Sequence, residues 1–195
     1  MVMHIPLSFE AQLEAKTLML SINNIISPAH GKPIIFPTQD IAVGCYYLTL
    51  KKDTGEKGRI FLSQEEVILA YELGKLSLHQ KIELRQGKNW ISTTPGRVIF
   101  NQVLPQGMEF KNCLVDKDVL TEIVGEIWKK YGNITTIEVL DKIKKLGFKY
   151  ATKSGLTFSI SDIPGIPKKK KFLQAIEEEV EGYNMRAEAG EISEE

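Results

Sequence analysis

Apolar positions in the first half of the chain fall in short runs between tightly specified turns. In the last third they form long helical stripes. The run SFEAQLEAKTLMLSI places Phe9, Leu13 and Leu20 at near-helical spacing with Glu10 in its first turn, which predicts a helix capped by Ser8. Asn23-Asn24 is expected to close it, because Asn tolerates left-handed geometry at a helix end. Ser27-Pro28 and Gly31-Lys32-Pro33 predict two turns, since each proline fixes φ and drives the preceding residue out of helical space. Thr38 then caps a helix with Asp40 in its first turn, at the positive end of the helix dipole, and residues 41–50 are apolar almost throughout.

Residues 51–59 read as a polar loop, and Ser63-x-x-Glu66 as a capping box for a helix that Gly74 stops. Leu76, Leu78, Ile82 and Leu84 alternate with polar residues, predicting a strand with one wet face. Residues 86–89 turn it into a second short strand at Trp90-Ile91-Ser92. Thr94 as cap and Pro95 at the first helical position open a helix that Pro105 ends. Asp116 caps a helix with Val119, Leu120, Ile123, Val124, Ile127 and Trp128 on its apolar face, ended by Gly132. Thr135 or Thr136 caps another, with Ile137, Leu140 and Ile143 inward, ended by Gly147. Past Pro164 and Pro167 a last helix carries Phe172, Ile176, Val180 and Tyr183, with Lys168 to Lys171 at its start and Glu177 to Glu179 beyond. The expected class is α+β, mostly helical with short β-hairpin elements.

Composition removes several functions. At 195 residues and 43% apolar content the chain can bury a core as one domain or two small ones. Lys plus Arg equals Asp plus Glu at 25 each, so no global field draws nucleic acid or an anionic membrane. No apolar run approaches the ~20 residues that span a bilayer and no signal peptide is visible, so the expected location is cytoplasmic. Cys45 and Cys113 sit in apolar surroundings and read as buried free thiols of a reducing compartment. His4, His30 and His79 are scattered without Cys or carboxylate at ligand spacing, so no metal site is expected. Nucleophile-elbow, Walker and dinucleotide-binding motifs are all missing, which leaves no catalytic residue within the chain. Lys168 to Lys171 read as a solvated face. GEIWKKYGNITTIEVLDKIKKLG, with Lys142, Lys144 and Lys145 on its second half, passes as a helix-turn-helix, so a stand-alone nucleic-acid-binding protein is the alternative function.

The stretch from Asn23 to Thr49 is too long and irregular for such generic readings. Ser21, Asn23, Asn24, Ile25, Ser27, Pro28, Ala29, Gly31, Pro33, Ile34, Pro37, Thr38, Gln39, Asp40, Gly44, Tyr46, Tyr47, Leu48 and Thr49 match S-x-NN-I-L-S-P-A-x-G-x-P-I-x-x-P-S/T-Q-D-x-x-x-G-x-Y-Y-L-T. This resembles the pore region of the beta-prime (largest catalytic) subunit of bacterial RNA polymerase. Two further strings resemble the same family. Thr93, Thr94, Gly96, Arg97, Phe100, Asn101, Leu104 and Pro105 fit T-T-x-G-R-x-x-F-N-x-x-L-P. Gly147, Phe148, Tyr150, Ala151, Thr152, Ser154, Gly155, Ile160 and Asp162 fit G-F-x-Y-A-T-x-S-G-x-x-x-x-I-x-D. Met1, His4, Pro6, Leu7, Ser8, Glu10, Ala11, Gln12, Glu14 and Ala15 resemble the string that follows the family's aspartate-rich magnesium loop.

The resemblance implies an internal fragment of that subunit. Residues 1–20 would be the tail of the active-site (double-psi barrel) region, 21–110 the pore domain, and 111–195 a helical funnel domain ending in a truncated rim helix of the secondary channel. Gln39 and Asp40, with Asn23, Asn24 and Ser27 along the same wall, would lie near the active centre. The bland alternative is that Thr38 and Asp40 cap a helix with Gln39 exposed beside them. Arg97 is a possible channel or phosphate contact, equally suited to pairing with a local acid. The implied cofactor is Mg2+ in the whole enzyme, held by aspartates upstream of Met1, so the fragment alone would be inactive. The implied partners are the beta, alpha and omega subunits, template DNA, nascent RNA, NTP substrates and secondary-channel regulatory factors, with no membrane.

Overall fold

The computed structural model describes residues 5–52, 58–87 and 89–191. Expectations for residues 1–4, for 53–57 of the polar loop, for Lys88 in the turn and for 192–195 lie outside them. The elements are α1 (Phe9–Glu14), α2 (Gln39–Thr49), β1 (Arg59–Phe61), α3 (Gln64–Glu72), β2 (Ile82–Gln86), β3 (Asn89–Thr93), α4 (Pro95–Asn101), α5 (Lys117–Ser154) and α6 (Lys169–Glu188). Mostly helical with one small sheet, this is the α+β class expected. The chain divides into two compact units, Met1–Leu156 and Thr157–Glu195.

Glycines set the packing of the first unit. α2 lies so close on α5 that a Cβ on Gly44 would stand 1.9 Å from the carbonyl oxygen of Gly147, and one on Gly147 would stand 2.6 Å from Ile41 Cγ2. Gly147 is therefore not a helix stop. It sits inside α5 because only a residue without Cβ admits α2, and the helix runs on to Gly155, which takes the left-handed cap at φ +60°. Gly132 does break α5 as expected, with φ 76° and ψ −174°. Helix resumes directly after it, and Thr136, expected as a possible cap, is instead buried within the turn, its hydroxyl donating to Gly132 O at 2.7 Å.

Around this contact Leu48, Phe100, Val115, Leu120, Ile123, Ile127, Val139 and Ile143 form the main core. Each such side chain contributes roughly 1.5–3 kcal/mol on burial. Trp128, expected on the inner face, stays 38% exposed, while Val139 takes a core position that spacing did not assign.

A second cluster of Phe61, Val67, Ile82, Leu84 and Val98 fills the space under the sheet. β1 pairs parallel with β2 through the α3 crossover, and β2 pairs antiparallel with β3, with Ile82 opposite Thr93 and Leu84 opposite Ile91. The strand expected from Leu76 begins only at Ile82. Leu76 and Leu78 are buried, but from a turn whose backbone is used elsewhere: Leu78 O accepts from Gly96 N, and His79 O accepts from Lys52 N. Ser63 caps α3 by accepting from Glu66 N, and the Glu66 carboxylate accepts from Leu62 N, one residue before the cap.

Ser8 caps α1, accepting from Ala11 N at 3.2 Å. The helix loosens at once into a π-turn, Ala15–Met19, and ends at Leu20. Asn23 and Asn24 close it through side-chain amides rather than left-handed backbone. Asn23 Nδ2 donates to Lys16 O and Thr17 O, and Asn24 Nδ2 to Leu18 O and Leu20 O. The second unit consists of the 3-10 turn Ile160–Asp162 and α6, on which Phe172, Ile176, Val180 and Tyr183 are all about half exposed.

Candidate functional site

The loop from Ser21 to Thr38 is built by its own backbone. Ile25 is buried, Ile34 N donates to Ile25 O at 2.7 Å, and Ser27 N donates to Lys32 O at 2.9 Å, so the Pro-rich segment closes as a narrow double-back. Ser27 supplies the turn itself, its carbonyl accepting from Gly31 N and its hydroxyl from Ala29 N. Asn133 Nδ2 ties the start of the loop to α5 by donating to Ile22 O at 2.6 Å. The amides of Asn23 and Asn24 and the hydroxyl of Ser27 are thus engaged in holding the loop's shape.

Gln39 is the one described non-glycine residue with left-handed backbone, at φ 51°. It is exposed, at the corner where the loop enters α2, and the Thr38 hydroxyl makes no capping bond there. Strain of about 1–3 kcal/mol at such a residue persists only where its surroundings impose it, here the Pro37 entry and the α2–α5 contact. Asp40 follows in the first turn and lines a cavity of about 270 Å³ with Val43, Phe148, Thr152 and Ser154.

Arg97 lies at the other end of α2, about 15 Å away along an 11-residue helix. Its Nε donates to Thr49 O at 3.1 Å, and its Nη1 to Asn112 O and Asn112 Oδ1. Among the described residues no acid partners it, contrary to one of the two expectations. It clamps a terminal helix carbonyl, which has no partner within the helix. Desolvation lowers its pKa, a shift opposed by the nearby Cys113. Cys113 is exposed, correcting the expectation of two buried thiols, whereas burial pushes the Cys45 thiol up to about 12.

Two further residues of this region were not anticipated in these roles. Asn101 Nδ2 donates to Arg97 O and Lys111 O while its Oδ1 accepts from Lys111 N. His79 is 6% exposed, packs edge-on to Tyr47, and bonds the next terminal carbonyl, Leu50 O, at 3.1 Å. Because a carbonyl only accepts, Nδ1 carries the proton, and buried Nε2 has no partner among the described residues.

Burial holds the His79 pKa below its ordinary value, helped by Lys52 and partly opposed by the Leu50 bond. The unfolded chain therefore binds the extra proton first. The stabilisation is complete above the unfolded pKa of about 6.5 and is lost as pH falls through the lower folded value. We expect the thermal midpoint to fall between about pH 7 and pH 5, with a slope of at most about 1.4 kcal/mol per pH unit from this group. Melts of His79→Gln should show that part of the slope removed; an unchanged slope would sink the assignment.

The chain's sequence has counterparts among known proteins. The family model described as RNA polymerase Rpb1, domain 3, matches residues 24–163. The chain belongs to this RNA polymerase family. It is 47% identical over 183 residues to DNA-directed RNA polymerase subunit beta' of Sulfurihydrogenibium sp., covering 93% of this chain and 12% of that protein. To the subunit beta' of Aquifex pyrophilus it is 46% identical over 173 residues, 88% of this chain and 11% of the relative. To that of Pelotomaculum thermopropionicum it is 44% identical over 198 residues, 100% of this chain and 17% of the relative. The chain therefore spans less than a fifth of the length of each of these relatives.

Among the described residues no three His, Cys, Asp or Glu side chains converge, so they form no donor set for the magnesium that the resemblance implies. Against the helix-turn-helix alternative, the two helical halves of α5 meet at the single kinked residue Gly132, α2 covers one side of the second half, and Lys144 is engaged by Asp141 at 2.6 Å. Among the described residues no helix is long and apolar enough to cross a membrane.

Proposed function

We propose that this chain works as the pore and funnel segment of the beta-prime subunit of a DNA-directed RNA polymerase. Residues 21–110 form the pore domain and residues 111–195 the funnel, with α6 as the first rim helix of the secondary channel. Residues 1–20 are the tail of the active-site region. In this reading NTPs pass the Gln39–Asp40 corner on their way to the active centre, and regulatory factors reach α6. The beta, alpha and omega subunits, template DNA and nascent RNA surround the segment in the cytoplasm. Nucleotidyl transfer uses Mg2+ held by aspartates outside these residues, and the chain alone is inactive.

The observation that carries this reading is the 47% identity over 183 residues to a beta' subunit. The left-handed backbone of exposed Gln39 supports the corner's role, since such strain gathers where a side chain must be presented in one direction.

The test is to exchange this chain for the matching stretch of the Sulfurihydrogenibium subunit, reconstitute the polymerase and follow single-nucleotide addition. The chimera should assemble and elongate. Gln39→Ala and Asp40→Ala should each raise the KM for NTP about 3- to 10-fold, the worth of one net hydrogen bond, with the assembly's thermal midpoint unchanged. A chimera that assembles but elongates with the parent's KM in both variants would remove the corner's role. Failure to assemble with an intact thermal transition would remove the segment's.

A further inference from the structure

We propose that the cavity between α3, α4 and the C-terminal half of α5 binds a phosphate monoester of nucleotide size, at a site distinct from the Gln39–Asp40 corner. The cavity holds about 550 Å³, within the range of small-molecule sites and well beyond what inorganic phosphate fills. Its wall is partly apolar, from Ile68, Leu76 and Ile99, and its charged rim is Lys149, Lys153 and Glu72.

The lysines carry the argument. They are spaced i,i+4 on α5, and both ammonium groups stand over the face of the Tyr150 ring, at 5.9 and 5.5 Å from its centroid. Like charges at this spacing destabilise a helix, and one ring's quadrupole offsets only part of that. An anion held between them turns the repulsion into attraction. Tyr150 is 2% exposed, and Tyr71 lines the same cavity. A phenol carries one O–H donor, and Tyr71 brings it to the cavity's lining. Two ammonium groups and one phenol form a three-donor set that suits a tetrahedral oxyanion better than a planar carboxylate. The apolar wall then receives the organic part of the ester, and Gln102 at the rim can bond a ring nitrogen or hydroxyl. Glu72 opposes the anion, which makes it a second, opposite-signed test.

Titration of the full chain at low salt with adenosine monophosphate and, separately, inorganic phosphate, followed by calorimetry, tests this. Adenosine monophosphate should saturate and bind more tightly than inorganic phosphate. Lys149→Gln/Lys153→Gln should weaken it about tenfold or more, and Tyr71→Phe about fivefold. Glu72→Gln should tighten it about threefold. Both lysines are exposed, so the double variant should melt like the parent. No saturation up to about 10 mM, or unchanged affinity in a double variant with a native melt, would overturn the proposal.

Discussion

Gly44→Ala should be among the most damaging conservative substitutions in this chain. Its new methyl carbon would lie 1.9 Å from Gly147 O, 2.7 Å from Gly147 C and 2.9 Å from Ala151 N, all backbone atoms that no rotamer change can move aside. α2 must back away from α5 by more than an ångström, which would open the core around Leu48 and Ile143. We expect a loss of about 3 kcal/mol or more, or roughly 6–12 °C in thermal midpoint for a chain of this size. The control is Gly125→Ala on the same α5. Its methyl carbon would meet only the Pro33 ring, at 3.7 Å, an ordinary contact. Removing a helix-interior glycine there should be neutral or stabilising by up to about 1 kcal/mol. Paired thermal melts decide it: equal shifts for the two variants would mean that the helices are not held at backbone contact.

That contrast also marks what the sequence discloses and what it hides. Local rules placed Ser8, Ser63, Thr94 and Asp116 at helix starts, and each side chain accepts from a backbone amide three residues on. The same rules misread Gly147, because a glycine that stops a helix and one that admits a neighbouring helix look identical in one dimension. Leu76 and Leu78 misled for a related reason: alternate burial in a turn mimics a strand whose hydrogen bonds are absent. β1 went unread since three residues carry no period.

At the candidate site, motif likeness singled out Gln39, and the backbone gives it a physical distinction that no propensity would place on a glutamine. Asn101 lay within a matched motif, yet its two bonds to Lys111 depend on a turn ten residues long that only the fold closes.

Arg97 yields the second large effect and decides between clamp and phosphate contact. If it served only as a surface charge, Arg97→Lys would keep that charge and leave stability nearly unaltered. In the structure a fork is required. Nε reaches Thr49 O at the end of α2 while Nη1 reaches Asn112 O and Oδ1, so one guanidinium joins α2 to the segment leading into α5. An ammonium presents a single centre and cannot span both. With hydrogen bonds from a charged group worth about 1.5–3 kcal/mol, we expect Arg97→Lys to cost about 2 kcal/mol, roughly 4–8 °C in midpoint.

Asn112 holds the other side of the clamp by donating to Ser92 O at 2.8 Å, so Asn112→Ala should couple to Arg97→Lys rather than add to it. A double-mutant cycle by chemical denaturation measures this. A coupling of about 1 kcal/mol is expected from the shared side chain–side chain bond. Full additivity, with Arg97→Lys within about 0.3 kcal/mol of the parent, would return Arg97 to the pool of residues free to meet a phosphate. Thr49 O takes Arg97, Leu50 O takes His79, and the Thr49 hydroxyl accepts from Val115 N at 2.9 Å, so three distant parts of the chain converge on one helix end. The far end of that same helix carries the strained Gln39. A helix anchored at its C-terminus and along its flank by Gly44 can hold a strained N-terminal corner still, and that division of labour is what the Arg97→Lys melt puts to the test.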